Sequence, residues 1–302
     1  MSAPSINGIL LMDKPSDLST AYCARKIGKA IGEKTGHAGT LDPVATGLVL
    51  VMVGRATKLA PWLTGLSKDY TALIKFGQNT STGDCEGEVL SETPVDITFE
   101  GIKEIIHSMK GKKLQMPPAY SAVKHMGQPL YKYAREGKEV EVRPREVEIF
   151  EIEIVEFYTP FLKIETSVSS GTYIRSMAVE MGENAGCGAH IQELRRTRIG
   201  HFELSDSLPY EEIIEIAEKG TIENSLISSN EALSFLPSVK AGLEDARSIA
   251  GGTKAKIDLG SIADSDLFRL TTEKELVALL RRSGDRDYEY IRVLKRPEEI
   301  EN

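Results

Sequence analysis

The sequence predicts an α+β fold, and three observations predict it. Runs with the period of a strand and runs with the period of a helix occur in the same chain. Residues 147–157 and 162–168 alternate as two strands joined by a turn near Thr159-Pro160. At 302 residues the chain is long enough for one large and one small unit.

Taken in order, Ile9, Leu10, Leu11 and Met12 form a short buried strand ended by Asp13-Lys14-Pro15. Residues 16–20 offer several N-cap side chains, after which Ala24, Ile27 and Ile31 recur at helical spacing up to Gly32. A glycine-rich loop leads to residues 48–53, whose β-branched side chains read as a buried strand closed by Gly54. Residues 56–66 read as a helix. Tyr70, Ala72, Ile74 and Phe76 alternate with Thr71, Leu73 and Lys75, the mark of a strand with one face covered. Residues 99–109 read as a helix with Ile102, Ile105, Ile106 and Met109 on one side. Residues 115–140 contain three prolines, several aromatic side chains and a basic excess, and read as an inserted surface element. After the two strands already described, Ser170-Gly171-Thr172 caps a helix over 173–182, and 189–196 reads as another. A short acidic helix beyond Pro209 leads to Leu236-Pro237, where the boundary is placed: 1–236 as the large unit, with a basic insertion at about 110–145, and 237–302 as a small mixed one.

Composition excludes several classes. With 41% hydrophobic and 27% charged residues the chain reads as globular. No apolar run approaches the roughly 20 residues of a membrane helix, and the first residues lack the pattern of an export signal, so no membrane association and a cytoplasmic location are expected. Cys23, Cys85 and Cys187 are far apart and odd in number, against a disulfide framework. Cys187 and His190 have a ligand-like spacing, but no second pair accompanies them, and no metal is expected. The net charge of −8 is unevenly spread. Residues 1–75 hold nine Lys/Arg against five Asp/Glu, residues 110–145 nine against three, and residues 203–235 one against eight. A basic face able to meet a phosphate backbone and a scatter of solvated charges both fit these counts.

Asp42 stands directly before Pro43, which disfavours helical dihedrals and holds the carboxylate in an extended or turn geometry. A carboxylate fixed on a tight loop can serve as a nucleophile or general base, and Asp-Pro is equally an ordinary turn initiator. The residues alone leave both open. The phosphate-loop, dinucleotide, serine-hydrolase and zinc-peptidase motifs are all missing from the sequence.

The stretch Gly36-His37-Ala38-Gly39-Thr40-Leu41-Asp42-Pro43-Val44-Ala45-Thr46-Gly47 resembles the signature of the TruB family of tRNA pseudouridine synthases. Residues 8–15, Lys68-Asp69-Tyr70, residues 117–124 (PPAYSAVK), Gly171-Thr172-Tyr173-Ile174-Arg175 and residues 194–200 (LRRTRIG) match the same family in its order, over about 200 residues. The resemblance implies a mixed, largely antiparallel central sheet flanked by helices, with a small C-terminal PUA-like domain that binds RNA. It implies isomerisation of uridine 55 in the TΨC loop of tRNA to pseudouridine, with no cofactor. Asp42 is then the catalytic carboxylate, Arg175 its cationic partner, and Tyr70 the ring that stacks on the target base and takes part in proton removal. A neighbouring guanidinium is expected to lower the pKa of Asp42 and offset burial. Tyr173 and Leu194 would line the uracil pocket, and Lys14 would be structural or contact phosphate. His37 would enter the RNA loop in place of the flipped base, whose extrusion costs a few kcal/mol. Lys124, Lys132, Arg135, Arg143 and Arg145 would contact the backbone, giving affinity without sequence reading.

Dyskerin-like, guide-dependent relatives share the Asp loop, but the GQPLYKYAREG segment resembles the stand-alone bacterial type, so a monomer without guide RNA is expected. A tRNA folding factor with a structural loop is the alternative reading. A carbohydrate-active enzyme would need a second acid beside Asp42. Asp84 qualifies by type, but its loop reads more simply as a family loop.

Overall fold

Among the described residues, ten strands form one sheet in the computed structural model, which describes residues 6–300 apart from 122, 139, 261, 264, 265, 274, 285 and 286. Ala122 of the PPAYSAVK stretch thus lies outside the described residues. The longer strands are β1 (Gly8–Lys14), β2 (Thr35–Ala38), β3 (Thr46–Val53), β4 (Lys68–Phe76), β5 (Gly111–Gln115), β6 (Arg145–Tyr158), β7 (Phe161–Val168) and β8 (Ala189–Ile199). From the edge strand Leu208–Pro209 the order runs β1, β3, β8, β4, β7, β6, β5, with β2 paired to β3 and Phe202–Glu203 to β8. The joins are antiparallel except those of β1 with Leu208–Pro209 and of β3 with β8. The mixed, largely antiparallel sheet is therefore present.

β1 and β3 read as unbroken apolar runs because both faces of the sheet are covered there. Leu10, Met12, Val49 and Val51 enter one core, which also receives the buried sides of α1 (Thr20–Ile31), α3 (Phe99–Met109), α5 (Ile174–Asn184) and α6 (Tyr210–Glu218). Ile9, Leu11, Leu48, Leu50 and Met52 enter the other. Helix α1 starts where Ser19 accepts a hydrogen bond from the Tyr22 N–H and ends at Gly32, whose φ of 72° suits a residue without a Cβ.

Three readings are corrected. Residues 56–66 form a 3₁₀ segment, Gly54–Leu59, followed by the short α2 (Ala60–Thr64). Pro61 has no N–H with which to continue a helix from the preceding turn, but it is well tolerated in a first turn. The helix at 173–182 is α5, and it draws no side-chain cap from residues 170–172. The distant Gln115 serves instead: its Oε1 accepts from the Tyr173 N–H at 2.7 Å and its Nε2 donates to the Tyr173 carbonyl at 3.1 Å. Residues 189–196, read as a helix, belong to the central strand β8. Its pairing with β4 shifts register between Ile191 and Glu193 and again between Arg196 and Arg198. A bulge adds one residue and inverts the inside-outside order, so Ile191 and Leu194 fall three apart and imitate a helical stripe.

A second, four-stranded sheet joins Ser238–Lys240, Leu267–Thr271, Leu276–Arg282 and Tyr288–Val293, with helix Leu243–Ala250 against it. Val239, Ala246, Phe268 and Leu270 form its own core. Leu276, Leu279 and Leu294 pack instead with Ile9, Leu48 and Leu50 of the first sheet. Arg55 pairs with Glu299 across the join, and Arg269 Nη1 donates to the Asn230 carbonyl at 2.8 Å. Deleting residues 237–302 uncovers this apolar face, at a cost of about 1.5–3 kcal/mol per large side chain exposed. The melting temperature of the shortened chain is expected to fall by roughly 10 °C or more; an unchanged melting curve would show that the join contributes nothing.

Candidate active site

The loop between β2 and β3 is held by Thr20, by Lys14 and by a turn of its own. Thr20 at the start of α1 both donates its hydroxyl to the Leu41 carbonyl and accepts from the Leu41 N–H, each at 2.9 Å. Lys14 Nζ donates to the Pro43 carbonyl at 2.9 Å. The Ala45 N–H donates to the Asp42 carbonyl at 3.1 Å, so Asp42 does begin a turn with Pro43 in second place. The turn occupies only the main chain of Asp42. Its carboxylate is left to face Arg175.

Arg175 is the second residue of α5 and is 4% exposed. Its Nη2 donates to Asp42 Oδ1 at 3.1 Å, and its Nε makes an ion contact with Asp42 Oδ2 at 2.9 Å. The rest of the guanidinium is also used. Nη1 donates to the Thr82 carbonyl and Nη2 to the Tyr120 carbonyl, both at 2.8 Å, and Nη1 stands 3.6 Å from Asp84 Oδ2. One buried cation therefore joins the loop of Asp42, the loop of Asp84 and the root of the insertion. The hydroxyl of Ser176 fixes that root further by donating to the Met116 carbonyl at 3.0 Å. Planar, five-donor geometry is what lets a single side chain do this.

The expected offset between burial and guanidinium is incomplete. The Asp42 carboxyl is held above the ordinary value of 3.8, because burial outweighs the opposing pull of Arg175 and the nearby negative Asp84 pushes the same way. Asp84, 4% exposed, is tied down by the Thr82 hydroxyl and by the Glu86 N–H at 3.2 Å. It is thus a buried acid beside the partly open Asp42, a pairing that the sequence does not reveal. Its only sequence signal is an acid in a glycine-flanked loop. Chemistry that needs ionised Asp42 has its acid limb set by this raised pKa. Asp84→Asn removes one negative neighbour, so the limb is expected to move to lower pH, which single-turnover rates across the acid range will show. A limb that stays or moves upward would mean that Asp84 does not act on Asp42.

Leu41, Tyr70, Ile174 and Leu194 pack in one apolar cluster, which sets the immediate neighbours of Asp42 and Arg175 in the same body as Tyr70 and Leu194. Tyr70 on β4 is 7% exposed and lies opposite Arg196 of β8, with Leu194 opposite Ala72. Tyr173 is partly open at the N-cap of α5. Lys14 has no exposed surface, and its Nζ also donates to the Pro15 and Leu18 carbonyls at 2.7 and 2.8 Å. Burial lowers its pKa to about 8. Of the two roles expected for it, the structural one fits this burial and phosphate contact does not. His37 lies on β2, partly open, with its pKa lowered by burial first and by the positive Arg196 second. A ring held neutral suits stacking better than binding an anion. Lys124 and Arg135 are exposed on the insertion, outside the Asp42–Arg175 contact. Lys124 stands in a hairpin, and Arg135 ends α4 (Leu130–Arg135) with its guanidinium 5.5 Å from the centre of the Tyr131 ring.

The chain is similar to known proteins over most of its length. Residues 25–174 match the model of the TruB family pseudouridylate synthase N-terminal domain, and residues 175–233 that of the tRNA pseudouridylate synthase B C-terminal domain. The second match ends ahead of the four-stranded sheet. A protein of Francisella philomiragia named tRNA pseudouridine synthase B is 42% identical over 216 residues, covering 70% of this chain and 72% of that protein. One of the same name from Haemophilus influenzae is 36% identical over 255 residues and covers 83% of each. Among solved structures, a Cbf5-Nop10-Gar1 complex superposes with a TM-score of 0.75 at 24% identity, covering 98% of this chain and 87% of that one. An H/ACA RNP bound to a substrate RNA containing 2'-deoxyuridine gives 0.75 at 22%, covering 97% and 87%. At such identity these two likenesses speak for the fold alone.

Proposed function

The chain belongs to the TruB family and makes pseudouridine in tRNA, and from that premise we propose that its target is uridine 55 of the TΨC loop, with Asp42 as the reacting carboxylate. The observation that carries the assignment is the contact of Asp42 with a buried Arg175, at 2.9 and 3.1 Å, on a loop pinned by Thr20 and Lys14. The isomerisation breaks the bond from the ribose C1′ to N1 and forms one from C1′ to C5. The proton displaced from C5 is balanced by one gained at N1, so atoms are conserved and no redox partner is needed. A carboxylate can bond transiently to the substrate or assist loss of a ribose proton. Both routes require it ionised, and Arg175 opposes the burial that would protonate it.

Tyr70 would stack on the everted base and take part in proton removal, with Tyr173 and Leu194 as the walls of the pocket. His37 would fill the space left in the RNA loop. Lys124 and Arg135, exposed on the insertion, would bind phosphates and confer salt-dependent affinity. The division of the chain after residue 236 is supported by the separate sheet and core of the last residues, for which we propose a PUA-like role in holding tRNA. The protein would act as a monomer in the cytoplasm, without a guide RNA.

The test is to incubate an unmodified tRNA transcript with the protein alone and map pseudouridine along it. A single modified position at uridine 55 is expected. Modification elsewhere would overturn the target, and a requirement for added RNA would overturn the stand-alone reading.

A further inference from the structure

We propose that Arg196 is a positioning residue: its guanidinium joins the two ends of the loop that carries Asp42 and so fixes where that carboxylate stands. Arg196 lies in the central strand β8 and is 1% exposed, so it meets neither solvent nor an incoming RNA. Its Nε donates to the Leu48 carbonyl at 2.7 Å and its Nη2 to the Gly39 carbonyl at 3.0 Å. Gly39 directly follows β2 and Leu48 is the third residue of β3. The whole loop from 39 to 48 is thus closed by one side chain, with Asp42 between the two bonds.

The loop also runs close to the main chain of β8, where Gly47 pairs with Arg196. Gly39 has φ 89°, a left-handed backbone that suits a residue without a Cβ. Gly47 has φ 105°, and a Cβ there would stand 2.3 Å from the Arg196 carbonyl oxygen, a distance no side chain tolerates. The loop therefore reaches β8 only with glycine at that point. Both bonds of the Arg196 head go to main-chain oxygens, so its work here is geometric. A lysine could keep the charge, but a single ammonium lacks the fixed fork that reaches two separate carbonyls. Thr20 and Lys14 hold the middle of the loop, and Arg196 sets its ends.

This inference rests on Asp42 being the reacting group, so the test compares Arg196→Lys and Arg196→Ala with Asp42→Asn. Misplacement of a reacting group by about 1 Å costs on the order of 100-fold, which sets the loss of kcat expected for Arg196→Ala, with about 10-fold for Arg196→Lys. The KM for tRNA should stay within about twofold, because the side chain is closed off from the RNA. Added guanidinium ion should restore part of the Arg196→Ala rate. Turnover per folded molecule within about twofold of the parent, or a loss carried by KM, would overturn the inference. Should Arg196→Ala not fold, the kcat and KM of Arg196→Lys decide by the same criteria. If Asp42→Asn keeps its turnover, the reading of the loop falls instead, whatever the Arg196 variants do.

Discussion

Asp42→Asn is expected to abolish pseudouridine formation, lowering single-turnover rates by about 10³-fold or more, while tRNA affinity stays within a few-fold of the parent. The substitution leaves the local frame in place. Asparagine starts turns as readily as aspartate, so the bond from the Ala45 N–H to the residue 42 carbonyl can persist. What disappears is the negative charge, and with it the capacity to bond to the substrate or to accept a proton from it. The phosphate contacts proposed for the exposed insertion lie away from residue 42, which is why binding should survive. Pseudouridine mapping together with filter binding separates the two effects. Unchanged turnover would make the loop structural and leave tRNA folding as the activity to pursue.

The parts of the site that lie close together in sequence were legible, and those that meet only in three dimensions were less so. The loop around Asp42 and the strands on either side follow from glycine placement and from apolar runs that need cover on both faces. Arg175 stands 133 positions away from Asp42, and no periodicity links them; only its GTYIR context pointed to the pairing. Asp84 is hidden in the sequence, because nothing in a TGDCEG loop reports that Arg175 will reach it. Gln115 is the clearest omission. Ser170 and Thr172 looked like the natural cap of α5, yet a glutamine from the end of β5 makes both bonds to Tyr173. Local propensity supplied a plausible partner, and tertiary packing supplied another. In β8 the failure has a different source: two bulges erased the period of two that identifies a strand. Those bulges belong to the strand that carries Leu194 and Arg196.

Arg175→Met should be more damaging to the molecule than Asp42→Asn, and in a distinguishable way. Methionine keeps much of the length of arginine, but it removes every donor that Arg175 brings to the junction. The Thr82 and Tyr120 carbonyls lose their partner, and Asp42 and Asp84 are left without the cation between them. Breaking a buried ion pair from one side costs about 3–5 kcal/mol, and the lower part of that range applies because the Asp42 side chain is still 35% open to solvent. The chemistry suffers for a second reason. Arg175 is the largest influence lowering the pKa of Asp42, so without it the carboxyl rises further and a smaller fraction is ionised at neutral pH. Turnover should fall by about 10³-fold or more. Because the root of the insertion is tied to the same guanidinium through Tyr120, tRNA affinity should fall as well, which Asp42→Asn does not do. Arg175→Lys restores the charge but not the fork, so it should recover the ionisation of Asp42 better than it recovers tRNA affinity. Melting temperature, single-turnover rate and tRNA affinity measured on both variants test the argument. A methionine variant that melts and binds like the parent would show that the two acids and the insertion are held by something other than this cation.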